Sequence, residues 1–261
     1  MAVTPDRLDE FARLFEPTAD PCVDICKRLR STPAVAQPSS ISKTKYVPLN
    51  DALYSYICAC RSNAADPVLE ALEKANNSLG EETSKQQIGP DQGSLMTLLV
   101  AAINASSAIE VGTFTGYSSI CIARGLRAGG RLICLDLNRE WADFGRPFWR
   151  QAGVEDRIDF RPGPALESLR NLESGLQFDF AFIDAAKTEY EAYYELILPR
   201  VRQHGLILFD NMLWTGRVTG DLSGDPNGLA IDALNRKLPH DRRVESMLLA
   251  IADGILLCRK R

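Results

Sequence analysis

Residues 108–118 read AIEVGTFTGYS, an apolar run that stops at Gly112, turns, and opens a helical pattern after Gly116. Strand, glycine turn and helix in that order begin a wound α/β sheet. Working outward, four more apolar runs follow: 131–137 (RLICLDL), 157–161 (RIDFR), 178–184 (FDFAFID) and 205–211 (GLILFDN). Helical periodicity fills the gaps at 117–127, 139–151, 164–173 and 188–200, and Pro147 is predicted to kink the second of these. Near-continuous apolar strands alternating with helices describe a parallel sheet covered on both faces. The end differs. Residues 243–251 and 254–260 read as two strands joined at Asp253-Gly254, a hairpin turn. The expected fold is α/β: a doubly wound, mostly parallel sheet of seven strands that ends in an antiparallel hairpin, with extra N-terminal helices.

Those helices lie upstream. Residues 4–16 have Thr4 and Pro5 at a helix start, with Leu8, Phe11 and Phe15 on one face. A second helix starts at Asp20-Pro21 and carries Cys22, Ile25, Cys26 and Leu29. Residues 31–44 are rich in Pro and Ser and read as a linker. The expected organisation is an appendage over 1–44 and a main domain over 45–261. Further helices are expected at Leu53, Ile57 and Cys60, from Asp66-Pro67, and over 93–104, with residues 86–91 as loop.

Composition bounds the partners. The chain has 261 residues, 45% hydrophobic and 25% charged, an ordinary globular balance. Thirty basic and 34 acidic residues leave a net charge of −4, which argues against nucleic acid as a partner. No apolar run reaches the roughly 20 residues that cross a bilayer, so no membrane is expected. MAVTPDRLDE does not read as a secretory signal. The 7 Cys are odd in number and several lie in apolar stretches, as at Cys121 and Cys134. They read as buried thiols of a reduced compartment, hence a cytoplasmic location. Their spacings make no zinc set.

In a wound sheet, ligands sit beyond the carboxyl ends of the strands. The polar residues there are few: Glu110 and Gly112, Asp136, Asp184, and Asp210 with Asn211. Gly112 permits a tight turn, and Gly116 permits close approach at the helix start. Asp136 can accept both hydroxyls of a ribose. The glycines are spaced G-x-x-x-G, not G-x-G-x-x-G, and an acid precedes the first. Such an acid opposes a pyrophosphate and suits a cationic, phosphate-free cofactor such as S-adenosyl-L-methionine. The alternative is that Glu110 is a polar strand residue facing solvent. Asp184, Asp210 and Asn211 are hard oxygen donors that suit Mg²⁺, Mn²⁺ or Ca²⁺. On spacing alone the plainer reading is that they are helix caps.

Several motifs, in order, are similar to one family: IEVGTFTGYSS, LDLNRE, AGVEDRIDFRPGPAL, FDFAFIDAAKTEYEAYY and GLILFDNMLWTGRV. They resemble the cation-dependent O-methyltransferases of the caffeoyl-CoA and catechol type, over about residues 45–261. The resemblance implies that Glu110, Gly112, Thr113, Gly116, Ser118, Asp136, Ala165 and Asp184 line the S-adenosyl-L-methionine site. It implies that Asp184, Asp210 and Asn211 hold the divalent cation and that Lys187 helps deprotonate a catechol-like acceptor. It implies a homodimer, and it gives Lys45 a substrate contact, against the plainer reading of a surface lysine. Trp214 could stack on a flat substrate or simply pack. The Gly-rich stretch 216–228 reads as a mobile loop over the acceptor pocket. The chain departs from the family pattern at Ala186, where a second acid is common, and at Gln86–Asp91. Two other readings stay open: a nicotinamide-dependent oxidoreductase, and a non-catalytic cofactor-binding partner protein.

Overall fold

The computed structural model describes residues 46–261, and the chain divides into two units between Ala64 and Ala65. The helices and linker expected over 1–44, the domain boundary at 44/45 and Lys45 lie outside the described residues. In the first unit, α1 (Asp51–Ala59) is started by Asn50, whose side chain accepts from Leu53 N at 2.9 Å.

The second unit holds the sheet. Its lead-in helices are α2 (Pro67–Asn77), α3 (Glu81–Ser84) and α4 (Pro90–Ala102). Asp66 caps α2 as its Asp-Pro start predicts, accepting from Val68 N and Leu69 N. Then β1 (Ser107–Val111), α5 (Tyr117–Gly125), β2 (Arg131–Asp136), α6 (Arg139–Gln151) and β3 (Ile158–Pro162) follow. The second half has α7 (Ala165–Arg170), β4 (Phe178–Ile183), α8 (Tyr190–Ile197) and β5 (Val201–Phe209). It closes with α9 (Pro226–Lys237), β6 (Val244–Leu249) and β7 (Ile255–Lys260).

The strand order is β3-β2-β1-β4-β5-β7-β6. Strands β1 to β5 pair in parallel, while β7 is antiparallel to both β5 and β6. The chain winds outward from β1 to β3, then returns to build the other half from β4. Winding therefore reverses between β1 and β4, which opens a crevice at their carboxyl ends.

Period-2 alternation fills both faces. Ala181 and Ile183 of β4 join one core cluster with Val111, Leu135, Phe209, Tyr190 and Leu234. Phe180 and Phe182 join the other with Leu132, Leu208, Met96, Ile120 and Trp149. Cys121, Cys134 and Cys258 are free and buried as expected, whereas Cys58 is half-buried and Cys60 is exposed. Among the described residues, no helix is long and apolar enough to cross a membrane.

Helix α6 spans 139 to 151 with Pro147 inside it. Two local expectations shift. Helix α4 starts at Pro90, not 93, because proline suits the first turn; residues 86–89 alone remain irregular. Strand β5 begins at Val201, where Phe178 of β4 offers a partner that the polar residues Arg202 to His204 hide from a reading of hydrophobicity.

Candidate active site

The glycine turn sits at the crevice. Gly112 has φ +89°, and a Cβ there would stand 1.9 Å from the Asp184 carbonyl oxygen. Only glycine allows the ends of β1 and β4 to come so close. Asp136, at the end of β2, nails the turn down. Its Oδ2 accepts from Thr113 N (2.7 Å) and Phe114 N (2.9 Å), and its Oδ1 from Asn138 N (2.8 Å). Gly116 has a different job from the one expected. A Cβ there would stand 2.3 Å from Trp149 Nε1, so the glycine makes room for α6 rather than for a ligand. That indole nitrogen donates to Thr115 O at 3.0 Å. Asn76 secures the turn from a third side, donating to Thr115 Oγ1 (2.9 Å) and to Gln87 Oε1 (2.7 Å).

A cavity of about 900 Å³ opens at this point. Of the residues singled out in the sequence, Gly112, Thr113, Ser118, Asp136, Ala165, Asp184, Lys187, Asp210 and Asn211 line it. Such a volume holds a nucleoside and a small aromatic ring together. Thr113 lines the cavity beside Gly112, with its hydroxyl oxygen turned inward and buried.

Glu110 lies beneath this surface. It is fully buried, so it does not face solvent. Its Oε2 accepts from Ser119 Oγ and from Cys134 Sγ (3.2 Å), while Oε1 has no partner among the described residues. Burial pushes its carboxyl up to about 7, against the pull of Ser118, Ser119 and Cys134. Trp214 is not on the cavity wall. Its Nε1 donates to Asp225 Oδ2 at 2.7 Å, and its ring packs against the core. Asp225 also accepts from Gly228 N (3.0 Å) and pairs with Arg217 (2.8 Å). The stretch 216–228 is thus tied to one carboxylate, and none of it lines the cavity.

The acidic end is built by adjacent parallel strands. Ile183 and Phe209 are in register, so the residues after them, Asp184 and Asp210, emerge side by side. Neither caps the short turn that follows. Those N-caps are Ala186 and Leu213, so the helix-cap reading of Asp184, Asp210 and Asn211 does not hold. Lys187 opens a 3₁₀ turn (Lys187–Glu189), and its Nζ donates to Asp184 Oδ1 and Tyr190 Oη, both at 2.7 Å. Tyr190 Oη donates in turn to Asp210 O at 3.2 Å. Burial, then the Asp184 charge, pushes the Asp210 carboxyl up to about 7. Asn211 N, which donates to Oδ1 at 2.6 Å, works against that shift. So does Gln92, although its buried Nε2 meets no strict hydrogen-bond geometry.

Two crowded carboxylates with one lysine between them leave negative charge that a divalent cation would neutralise. Among the described residues, no three Asp, Glu, His or Cys side chains are placed to hold an ion. A third oxygen donor for such a cation would have to be of another type, and Asn211 lines the same wall. The donor set therefore fits a hard cation.

Sequence reasoning missed Gln92, Tyr190 and Asp253. Gln92 adjoins a helix start placed too late. Tyr190 follows Lys187 at the i+3 spacing, a signal that could have found it. Asp253 was hidden by its reading as a turn residue, yet it too lines the cavity.

A family model described as O-methyltransferase matches residues 60–261. A caffeoyl-CoA O-methyltransferase of Eucalyptus gunnii is 36% identical over 225 residues, which are 81% of this chain and 88% of that one. Tricin synthase 1 of Oryza sativa subsp. japonica is 37% identical over 238 residues, 84% of this chain and 92% of that one. Among solved structures, an O-methyltransferase from Bacillus cereus in complex with SAH superposes with a TM-score of 0.73 at 31% identity, covering 80% of this chain and 97% of that one.

Proposed function

Because the chain belongs to the O-methyltransferase family, we propose that it methylates one hydroxyl of a vicinal-dihydroxy, catechol-like small aromatic, with S-adenosyl-L-methionine as donor and a divalent cation at Asp184, Asp210 and Asn211. The carrying observation is the junction of two walls in one cavity. Asp136 and the Gly112–Ser118 turn form one end, and Asp184, Lys187, Asp210 and Asn211 form the other. Membership of this family displaces the oxidoreductase reading.

The donor would supply an electrophilic methyl group, and a divalent cation would supply Lewis acidity toward a phenol whose unperturbed pKa is about 10. The chain's own residues do the rest. Asp136 would accept the hydroxyls of a ribose. Gly112, having no side chain, keeps the floor clear where β1 meets β4. Lys187 Nζ is the nitrogen positioned to take the acceptor proton, and Asp184 and Tyr190 hold it in place. Tyr190 is suited to holding rather than ionising, since burial and the neighbouring carboxylates push its phenol far up. The protein's contribution is alignment and charge placement.

We take the acceptor to be a small molecule, the assembly to be a homodimer and the location to be cytoplasmic. The family resemblance supports the dimer, and the buried free thiols agree with a reduced compartment.

The test is incubation with labelled S-adenosyl-L-methionine, Mg²⁺ and a panel of catechols, with mass detection of product. Methylated catechol is expected, lost on adding EDTA and regained with excess Mg²⁺. Full turnover after exhaustive chelation would remove the cation from this account. Cofactor binding without any turnover would favour the non-catalytic partner reading.

A further inference from the structure

We infer that Asp253, in the β6–β7 turn, is a positioning residue that orients the Asn211 side chain as an oxygen donor; this rests on the cation site proposed above.

An asparagine amide has two ends of nearly equal size and opposite chemistry. Its oxygen can bind a hard cation, and its NH₂ cannot. Nothing within Asn211 chooses between them. Asp253 does choose. Its Oδ2 lies 3.4 Å from Asn211 Nδ2 and can only accept, so the opposite rotamer would set the amide oxygen against a carboxylate oxygen. The bond is long, so its weight lies in excluding the wrong rotamer.

The turn that carries Asp253 is clamped to the turn that carries Asn211. Asp253 Oδ1 accepts from Thr215 N at 2.5 Å, and Asp253 O accepts from Leu213 N at 2.8 Å. Gly254 O accepts from Met212 N at 3.0 Å. A Cβ on Gly254 would stand 2.7 Å from Leu213 N, so the glycine permits this contact. Asn211 itself has φ +58°, an uncommon conformation that such a clamp holds in place. Both residues line the cavity. Partners one shell out from a metal ligand typically change metal affinity 10–100-fold when removed.

The experiment is Mn²⁺ titration of the full chain, with free Mn²⁺ read by electron paramagnetic resonance. Four proteins are compared: wild type, Asp253→Ala, Asn211→Asp, and the two changes together. A carboxylate at 211 presents oxygen at either end and needs no orienting partner. The expected result is Mn²⁺ affinity at least about 10-fold weaker in Asp253→Ala. In the Asn211→Asp background, removing Asp253 should cost no affinity.

Unchanged Mn²⁺ affinity in Asp253→Ala would overturn the inference. So would an equal loss in both backgrounds, which would make Asp253 a structural turn residue only. Should Asp253→Ala fail to fold, Asp253→Asn replaces it. That variant keeps one acceptor oxygen, and a smaller loss confined to the Asn211 background is expected. A wild-type chain that binds no Mn²⁺ would defeat the cation reading itself, an outcome distinct from failure of Asp253 alone.

Discussion

Lys187 sits among groups with opposite demands. Its Nζ is paired with Asp184, and the proposed reaction asks the same nitrogen to take a proton from the acceptor. Removing a positioned base typically costs 10²–10⁴-fold. Lys187→Ala should therefore lower kcat by about that factor while leaving S-adenosyl-L-methionine affinity intact. Lys187→Arg keeps the charge but not the ability to release a proton, so it should be nearly as slow. Steady-state rates set beside calorimetric cofactor binding decide the matter; a Lys187→Arg enzyme near wild-type speed would assign the lysine to charge alone. Gly112 makes a harder demand. Both its φ of +89° and the Asp184 carbonyl 1.9 Å from its would-be Cβ oppose any side chain. Gly112→Ala should cost about 2–5 kcal/mol in urea denaturation and abolish cofactor binding. A stable Gly112→Ala protein with normal affinity would mean that the β1 and β4 ends separate freely.

At the level of elements, the glycine turn is held by its neighbours more than by itself. Helix α6 comes so close that a Cβ on Gly145 would stand 1.8 Å from Thr115 O. Trp149 reaches the same carbonyl. Trp149→Phe leaves that carbonyl buried and unpaired, a cost of about 1–3 kcal/mol. Weaker cofactor binding should accompany the lost stability, since Thr113 and Ser118 flank the loosened residue. Chemical denaturation and calorimetry together would show it, and unchanged values in both would separate α6 from the site. This contact explains a gap in what the sequence reveals. Gly116 and Gly145 look alike as letters, and only the packed indole tells that one serves the other helix. Trp214 and the stretch 216–228 make the same point. Trp214 is readable as a stacking partner and the Gly-rich stretch as a loop over the acceptor pocket, but Asp225 collects the indole, Arg217 and the start of α9 onto one carboxylate, off the cavity wall.

For the whole molecule, Glu110 carries a pH signature that falls near neutrality. In the ligand-free fold its carboxyl keeps a proton up to about 7, whereas the ordinary value is 4.5. Between those values the folded chain binds more protons than the unfolded chain, so stability falls as pH rises. The contribution is complete below about 4.5 and lost as pH climbs through about 7, on the order of 3 kcal/mol. Glu110→Gln should make that part of the stability curve shallower, leaving the share of Asp210, as measured by urea denaturation at stepped pH. A slope of equal size in the variant would place the titration elsewhere.

The order of strands and helices was legible in the sequence because hydrophobic burial is written locally. Runs such as FDFAFID must cover both faces of a sheet, and the Asp253-Gly254 turn must reverse the chain. The oxygen donors at the strand ends were legible for the same reason, since a carboxylate closing an apolar run is conspicuous. Their company was not. Tertiary structure alone brought Tyr190 to the Asp210 carbonyl, set Asp253 against Asn211, and buried Glu110 beneath the cavity instead of on its wall. Those relations depend on strand register and on how closely backbones approach. Side chains far apart in the chain decide both, by filling or vacating the same few ångströms.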